Sequence, residues 1–334
     1  MSNDTVTFLG CGSWGAALGS VLENKGLNVR FWHRNPKTIH NMEMTRKHYL
    51  MPNVKFGQSV SFHSDINEAI VKSKNIVLAI PSQNVREIIF KIKHSIDSSI
   101  CIINVAKGIE KETLKTVSEV VFDVTKDLSN YVTISGPSHA EEVLANTPTA
   151  IVSASKNISA ANFVQKLFST NKLRVYTNND LIGVEIGGSA KNVIAIAAGF
   201  CDGFGYGDNT KSALMTRGIK ELSKLGLCFG ARMDTFFGLT GIGDLIVTCS
   251  SAHSRNRKLG ERIGKGIGLD DALSRSHMVA EGVKTAYSIK KLSEKFNIEM
   301  PICNAVYNVL YEKSDPIKEV DILMSRNLKS ESFI

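Results

Sequence analysis

Cysteine is sparse: Cys11, Cys101, Cys201, Cys228, Cys249 and Cys303 are spread over 334 positions, and no C-x-x-C pair occurs. That spacing argues against a disulfide framework and against a zinc site, so no metal is expected. Charge of one sign is never concentrated either. The formal net charge is +8 and the isoelectric point is near 9.1, yet no run of five or more like charges appears. The sequence thus carries no nucleic-acid footprint, and an anionic small molecule accounts for the basic surplus as well. Long hydrophobic runs are missing. The longest, 193–201, is about half a bilayer crossing, follows Lys191, and reads as a buried helix. Asn3, Asp4 and Gly10 interrupt the start of the chain before an apolar run can form. Neither a signal peptide nor a transmembrane segment is expected, and a reducing cytoplasm fits. Internal repeats and low-complexity tracts are also lacking.

With 43% hydrophobic and 22% charged residues, the chain can bury a sizeable core and is long enough for two domains. β-rich runs at 6–9, 29–32, 76–80, 100–105, 132–134 and 150–152 alternate with helical patterns, which implies a parallel sheet covered by helices. Beyond about Asp180 these runs stop. Gly-punctuated, Ala-rich helical segments replace them, including 209–225, 255–263 and 280–296. The switch places a domain boundary between 1–180 and 181–330, with the polar tail after Asn327 loosely ordered.

Gly10-Cys11-Gly12-Ser13-Trp14-Gly15 follows the first strand directly and opens a helix. Glycines are required in such a turn for three reasons: the bend is tight, the backbone approaches a pyrophosphate, and the helix packs close to the strand. Strand, motif, helix and second strand in that order predict a Rossmann-like NAD(P)-binding N-terminal domain, followed by an all-α C-terminal domain. An NAD-selective site would place a carboxylate near the end of the second strand. Trp32-His33-Arg34 stands there instead. With no acid to repel a 2′-phosphate and Arg34 to pair with it, NADPH should be accepted, unless Arg34 is only a solvated surface residue.

Polar residues among glycines or at helix starts mark further ligand candidates: Asn104-Val105-Ala106-Lys107-Gly108, Ser135-Gly136-Pro137-Ser138-His139-Ala140, Gly187-Gly188-Ser189-Ala190-Lys191-Asn192 and Gly241-Ile242-Gly243-Asp244-Leu245. Lys107 and Pro137 lie just past strands, at the carboxyl edge where open α/β sheets bind ligands. Lys191 sits in an apolar, small-residue helix. Its amine is then partly desolvated, as suits a proton donor, and Asp244 could orient it; the plainer reading is a snorkelling surface lysine. Ser254-Arg255-Asn256 can cap a helix and grip an anion, or simply cap it. The glycines at 238–243 can equally form only a turn.

Taken together, these segments resemble the NAD(P)-dependent glycerol-3-phosphate dehydrogenases of the soluble bacterial type, over nearly the whole chain. The matching stretches are G-C-G-S-W-G at 10–15, A-K-G at 106–108, S-G-P-S-H-A at 135–140, E-I-G-G-S-A-K-N-V at 185–193, N-T-K-S-A-L-M-T-R-G at 209–218, G-L-T-G-I-G-D-L-I-V-T-C-S-S at 238–251, S-R-N-R at 254–257 and V-A-E-G at 279–282. The resemblance implies that Lys191 donates the proton in ketone reduction and that Asp244 helps to hold the reacting oxygen. Lys107, Gly136, Ser138 and Thr248 would complete the substrate pocket, with Ser254, Arg255 and Asn256 on the substrate phosphate. It places Gly10, Gly12, Ser13, Trp14, Gly15, His33, Arg34, Tyr49, Lys107, Ala140, Arg255, Val279 and Glu281 at the cofactor, NADP or NAD. The family usually reads Tyr-Leu-Pro where this chain reads Tyr49-Leu50-Met51-Pro52, an extra residue. Dihydroxyacetone phosphate and glycerol 3-phosphate are the implied substrate pair, feeding glycerophospholipid synthesis, and a cytoplasmic homodimer is implied.

Two rivals remain. A dehydrogenase of the β-hydroxyacid type would share the glycine loop and the lysine but would not need Ser254-Arg255-Asn256. A noncatalytic NADPH-binding sensor would keep the loop without needing Lys107, Lys191 and Asp244 together.

Overall fold

The computed structural model describes residues 5–274, 280–328, 330 and 331. The chain divides into two compact units: Met1–Lys107 with Val117–Leu181, and Gly108–Thr116 with Ile182–Ile334. The short segment Gly108–Thr116 thus leaves the first half to join the helical unit, a crossing that a linear boundary near Asp180 does not contain. There the Ser288 hydroxyl bonds the Ile109 carbonyl oxygen, 3.3 Å away.

In the first unit strands and helices alternate: β1 Thr5–Leu9, α1 Ser13–Asn24, β2 Asn28–Trp32, α2 Pro36–Thr45, β3 Val60–His63, α3 Ile66–Ile70, β4 Asn75–Leu78, α4 Val85–Ile92, β5 Cys101–Asn104, α5 Val117–Thr125, β6 Tyr131–Ser135, α6 Ala140–Leu144, β7 Thr149–Ala154, α7 Ile158–Phe168 and β8 Leu173–Asn178. The sheet order is β3-β2-β1-β4-β5-β6-β7-β8. Its first six strands are parallel in the doubly wound order of dinucleotide-binding folds, whose direction reverses between β1 and β4. Central strands are buried on both faces and therefore read as continuous apolar runs such as Ile76-Val77-Leu78.

The sheet is parallel as expected except at one pair: β7 runs antiparallel to β6. Between them lies only a Gly136 turn and the five-residue α6, too little helix for a full crossover back to the opposite edge, so the chain re-enters from the end it left. α7 then supplies a proper crossover, and β8 runs parallel to β7. β3 and β8 lie outside the strands expected from sequence. Both are edge strands with alternating burial, so their apolar content is half that of a central strand.

Among the described residues the regular elements of the second unit are all helical: α8 Leu181–Gly203, α9 Asp208–Cys228, α10 Met233–Phe236, a π turn Leu239–Gly243, α11 Asp244–Ser250, α12 Arg255–Gly264, α13 Leu269–Ser274, α14 Glu281–Phe296, α15 Pro301–Tyr311 and α16 Pro316–Met324. The apolar run at 193–201 belongs to α8, which is longer than that run suggested. By length and composition alone α8 could cross a membrane, but its apolar window is 94% buried within the protein, as a core helix. Its small residues let neighbours come close. A Cβ on Gly199 would lie 2.0 Å from the Arg257 carbonyl oxygen, and one on Gly260 would lie 2.0 Å from that of Ile196. Gly203 and Gly264 repeat the contact one turn on, so α8 and α12 cross backbone against backbone.

Candidate active site

In the first unit the glycine motif occupies the turn from β1 to α1. Gly10 adopts φ +106°, and a Cβ there would lie 2.4 Å from the Ala79 carbonyl oxygen just beyond β4, so no other residue fits. Gly15 faces the same wall, its Cβ position 2.8 Å from that of Ala79. Gly12 is the N-cap of α1. No side chain caps that helix, its first turn carries no acid, and the space beyond Gly12 is open for 4 Å. The outward N–H groups of an uncapped helix start form an anion site. Beside them the Trp14 indole nitrogen is buried and has no hydrogen-bond partner among the described residues. These features fit the pyrophosphate of a dinucleotide.

At the carboxyl end of β2, His33 is half-buried, and burial holds it below the ordinary imidazole range. Its Nδ1 accepts a bond from the Asn35 N–H at 3.1 Å, while Tyr49 packs against the ring at 5.4 Å between centroids. Arg34 is exposed there, with no acid in Trp32-His33-Arg34 to offset it. Further along the carboxyl edge, Lys107 and Ser138 converge on one atom: both donate to the Gly136 carbonyl oxygen, at 3.1 and 2.9 Å. Gly136 holds φ +126° with its Cβ position 3.1 Å from the Ile151 backbone, and Ala140 opens α6 four residues on.

In the second unit the Lys191 and Asp244 side chains are 7% and 2% exposed and form an ion pair of 2.7 Å. Thr248 closes the cluster. It accepts a bond from the Lys191 ammonium and donates to the Asp244 backbone carbonyl at 2.6 Å. The snorkelling alternative for Lys191 therefore fails: its amine is buried with a carboxylate that compensates its charge. The local sequence explains how Asp244 gets there. Residues 238–243 form a π turn, with the Gly243 N–H bonding the Gly238 carbonyl oxygen, and a Cβ on Gly241 would lie 2.0 Å from the Phe236 carbonyl oxygen. That turn packs on α8, where the Gly187 Cβ position is 3.2 Å from the Thr240 carbonyl oxygen. π turns of this kind recur at functional sites.

Ser254 caps α12, its hydroxyl accepting from the Arg257 N–H at 3.2 Å. Arg255 is exposed on the first turn. Asn256 is 8% exposed and committed within the protein: its Nδ2 donates to Asn192 Oδ1 at 3.0 Å, and its Oδ1 accepts from the Gly282 N–H at 3.0 Å. It thereby links the residue beside Lys191 to the start of α14, next to Glu281. Asn192, inside a segment already marked by its glycines, is the member that residue-by-residue reading missed. Val279 lies outside the described residues. Cys249, near Asp244 in sequence, is buried, and desolvation pushes its thiol up to about 12, so it offers no thiolate near neutral pH.

An uncapped glycine loop at the switch point of a doubly wound sheet, together with a buried lysine–carboxylate pair in a helical second unit, defines an NAD(P)-dependent oxidoreductase of two-unit build. The description "NAD-dependent glycerol-3-phosphate dehydrogenase N-terminus" matches residues 5–161, and the corresponding C-terminus description matches 180–321. The chain belongs to the NAD-dependent glycerol-3-phosphate dehydrogenase family. It is 47% identical over 330 residues to glycerol-3-phosphate dehydrogenase (NAD(P)+) of Clostridium botulinum strain Eklund 17B, covering 98% of this chain and 99% of that protein. The enzyme of the same name from Clostridium acetobutylicum is 48% identical over 329 residues, with the same two coverages. The crystal structure of glycerol-3-phosphate dehydrogenase from Coxiella burnetii superposes with a TM-score of 0.93 at 35% identity, covering 97% of this chain and 99% of that one.

Proposed function

We propose that this chain reduces dihydroxyacetone phosphate to sn-glycerol 3-phosphate with NADPH or NADH, reversibly, and that the Lys191–Asp244–Thr248 cluster carries the proton chemistry. The observation that bears most weight is the burial of the Lys191 ammonium against Asp244 at 2.7 Å. When bound, a reduced nicotinamide supplies a hydride to the ketone carbon. Lys191 Nζ gives its proton to the ketone oxygen as negative charge develops there, a contribution of roughly 10²- to 10⁴-fold. Asp244 and Thr248 hold the ammonium in place, so no reorganisation is needed during the reaction. Lys191 is then reprotonated from solvent.

The substrate's phosphate suits the capped start of α12, with Arg255 and the Ser254 region as its partners and Asn256 bracing Asn192 behind them. Binding energy from that phosphate can orient the ketone. Lys107, Gly136 and Ser138 are the substrate contacts proposed from the first unit. The cofactor is assigned to Gly10, Gly12, Ser13, Trp14, Gly15, His33, Arg34, Tyr49, Lys107 and Ala140, with Arg255, Val279 and Glu281 from the second unit. Exposed Arg34 and the lack of an acid within Trp32-His33-Arg34 support use of NADPH. The domain roles follow: dinucleotide binding in 1–180 and substrate chemistry in 181–330. A cytoplasmic homodimer serving glycerophospholipid synthesis is the setting that accords with the family.

Steady-state oxidation of NADPH and NADH by the purified protein, with dihydroxyacetone phosphate against a panel of 3-ketoacids, tests the reading. Turnover confined to the phosphorylated ketone is expected. Preference for the ketoacids, or binding of NADPH without consumption, overturns it.

A further inference from the structure

The loop that carries Tyr49-Leu50-Met51-Pro52 is organised by a side chain outside both the proton-donor cluster and the proposed cofactor contacts. His48 is 1% exposed. It begins a loop closed on itself by the His48 N–H to the Val54 carbonyl at 3.0 Å, the Phe56 N–H to that of Arg46 at 2.8 Å, and the Val54 N–H to that of Met51 at 2.8 Å. Two backbone N–H groups, of Leu50 and Met51, point at His48 Nδ1 from 3.2 and 3.1 Å. A nitrogen receiving two donors must carry a lone pair, so the proton of the neutral ring sits on Nε2. That Nε2–H donates to the Cys11 carbonyl oxygen at 2.9 Å, inside the glycine turn between Gly10 and Gly12.

The same ring supports Tyr49, whose centroid lies 4.9 Å from that of His48 and 5.4 Å from that of His33. One imidazole therefore touches both ends of the dinucleotide apparatus: the turn that faces the pyrophosphate, and the aromatic pair beside Arg34. Burial holds the ring below the ordinary imidazole range, which keeps it neutral and preserves the acceptor at Nδ1. The second backbone donor comes from Met51, so two successive residues of the loop are tied to one ring nitrogen.

We infer that His48 is a positioning residue for the cofactor: it locks the glycine turn and the Met51-containing loop into one geometry, so that the dinucleotide meets both preformed. This rests on the reading of the glycine turn as the dinucleotide site. The imidazole's three hydrogen bonds also explain how the loop keeps its tyrosine against His33.

The test is cofactor binding, read directly from the fluorescence of NADPH and of NADH titrated with protein, for the wild type, His48→Phe and His48→Gln. Phenylalanine keeps the ring's bulk but neither donates to Cys11 nor accepts from the loop. Its dissociation constants for both cofactors should rise about tenfold, the size of one buried hydrogen bond with its unsatisfied partners. Glutamine can donate from Nε2 and accept at Oε1, and should recover binding to within about threefold of wild type. With saturating cofactor, kcat of His48→Phe should fall less than about threefold, because the Lys191 cluster is untouched. A long-range proton–nitrogen spectrum of the wild type provides a check independent of any variant's folding. It should show His48 as the neutral Nε2–H tautomer with resonances that shift on addition of NADPH.

Equal cofactor affinity in a folded His48→Phe protein, or a ring protonated on Nδ1, overturns the inference while leaving the proposed reaction standing. Failure of the wild type to bind either cofactor overturns both.

Discussion

Gly260→Ala probes how the helical unit holds its chemistry. The added Cβ would lie 2.0 Å from the Ile196 carbonyl oxygen and 3.0 Å from Gly199 Cα, both backbone atoms that cannot rotate away. Ordinary contact, at 3.4 Å or more, is restored only if α12 moves off α8 by roughly 1.4 Å. That displacement strains the 3.0 Å bond from Asn256 to Asn192, the residue adjoining Lys191. Overpacking costs roughly 1–3 kcal/mol, and the strained hydrogen bond about 1 kcal/mol more. Alanine's better helix propensity offsets at most about 1 kcal/mol. A net loss of about 1–3 kcal/mol lowers Tm by roughly 2–12 °C, taking about 2–4 °C per kcal/mol for a unit of this size.

The catalytic effect should be specific. KM for the phosphorylated ketone should rise and kcat fall, by about 10²-fold in kcat/KM for a displacement of roughly 1 Å or more. KM for NADPH should rise less than that for the ketone, because on the proposed reading most of the cofactor contacts lie outside this helix crossing. Gly268→Ala is the control, since a Cβ there meets nothing within 4 Å. Thermal denaturation and initial-rate kinetics on both variants decide the matter. Gly260→Ala melting together with Gly268→Ala, with an unchanged ketone KM, would refute the argument that backbone contact at this crossing sets the site.

Lys191→Ala should lower kcat by at least about 10² while NADPH titration remains close to wild type; substantial residual turnover would remove Lys191 from the proton-donor role. Under a short exposure to iodoacetamide at neutral pH, mass spectrometry should find label on exposed Cys228 and none on Cys249, whose buried thiol is pushed up to about 12. Rapid labelling of Cys249 in the folded protein would contradict that. Glu221 accepts the Ile302 and Cys303 N–H groups at the start of α15, at 2.7 and 3.0 Å, and its burial pushes the carboxyl up to about 7 from 4.5. The folded protein then holds the proton more tightly than the unfolded chain, so this group's contribution is complete below about pH 4.5 and is lost as pH rises through about 7. Relative to Glu221→Gln, the wild type should lose about 2–3 kcal/mol in urea denaturation between about pH 5 and pH 8, since each tenfold difference in proton affinity between the folded and unfolded chain is worth about 1.4 kcal/mol. Parallel pH dependences for the two proteins would exclude it.

The amino-acid sequence by itself determined the features that depend on near neighbours along the chain. The glycine turn was readable because Gly10 needs a backbone angle no other residue tolerates, and because an uncapped helix start follows at once. Central strands were readable as apolar runs, and α8 as a buried helix, because burial on all sides leaves no polar face to confuse the pattern. Lys191, Asp244 and Thr248 could be named individually. The pairing of Lys191 with Asp244 could be raised but not decided from local pattern, since a lysine among small apolar residues is equally a snorkelling surface residue until a carboxylate is placed 2.7 Å from it.

The tertiary structure alone decided what depends on segments distant in sequence. The reversal of β7, the edge strands β3 and β8, and the transfer of Gly108–Thr116 to the helical unit all follow from pairings with no local signature. The Asn192–Asn256–Gly282 chain joins residues up to 64 positions apart in a single bond, and His48 reaches back 37 positions to Cys11. A buried polar side chain is defined by the partner that satisfies it, and only the folded chain brings that partner within about 3 Å.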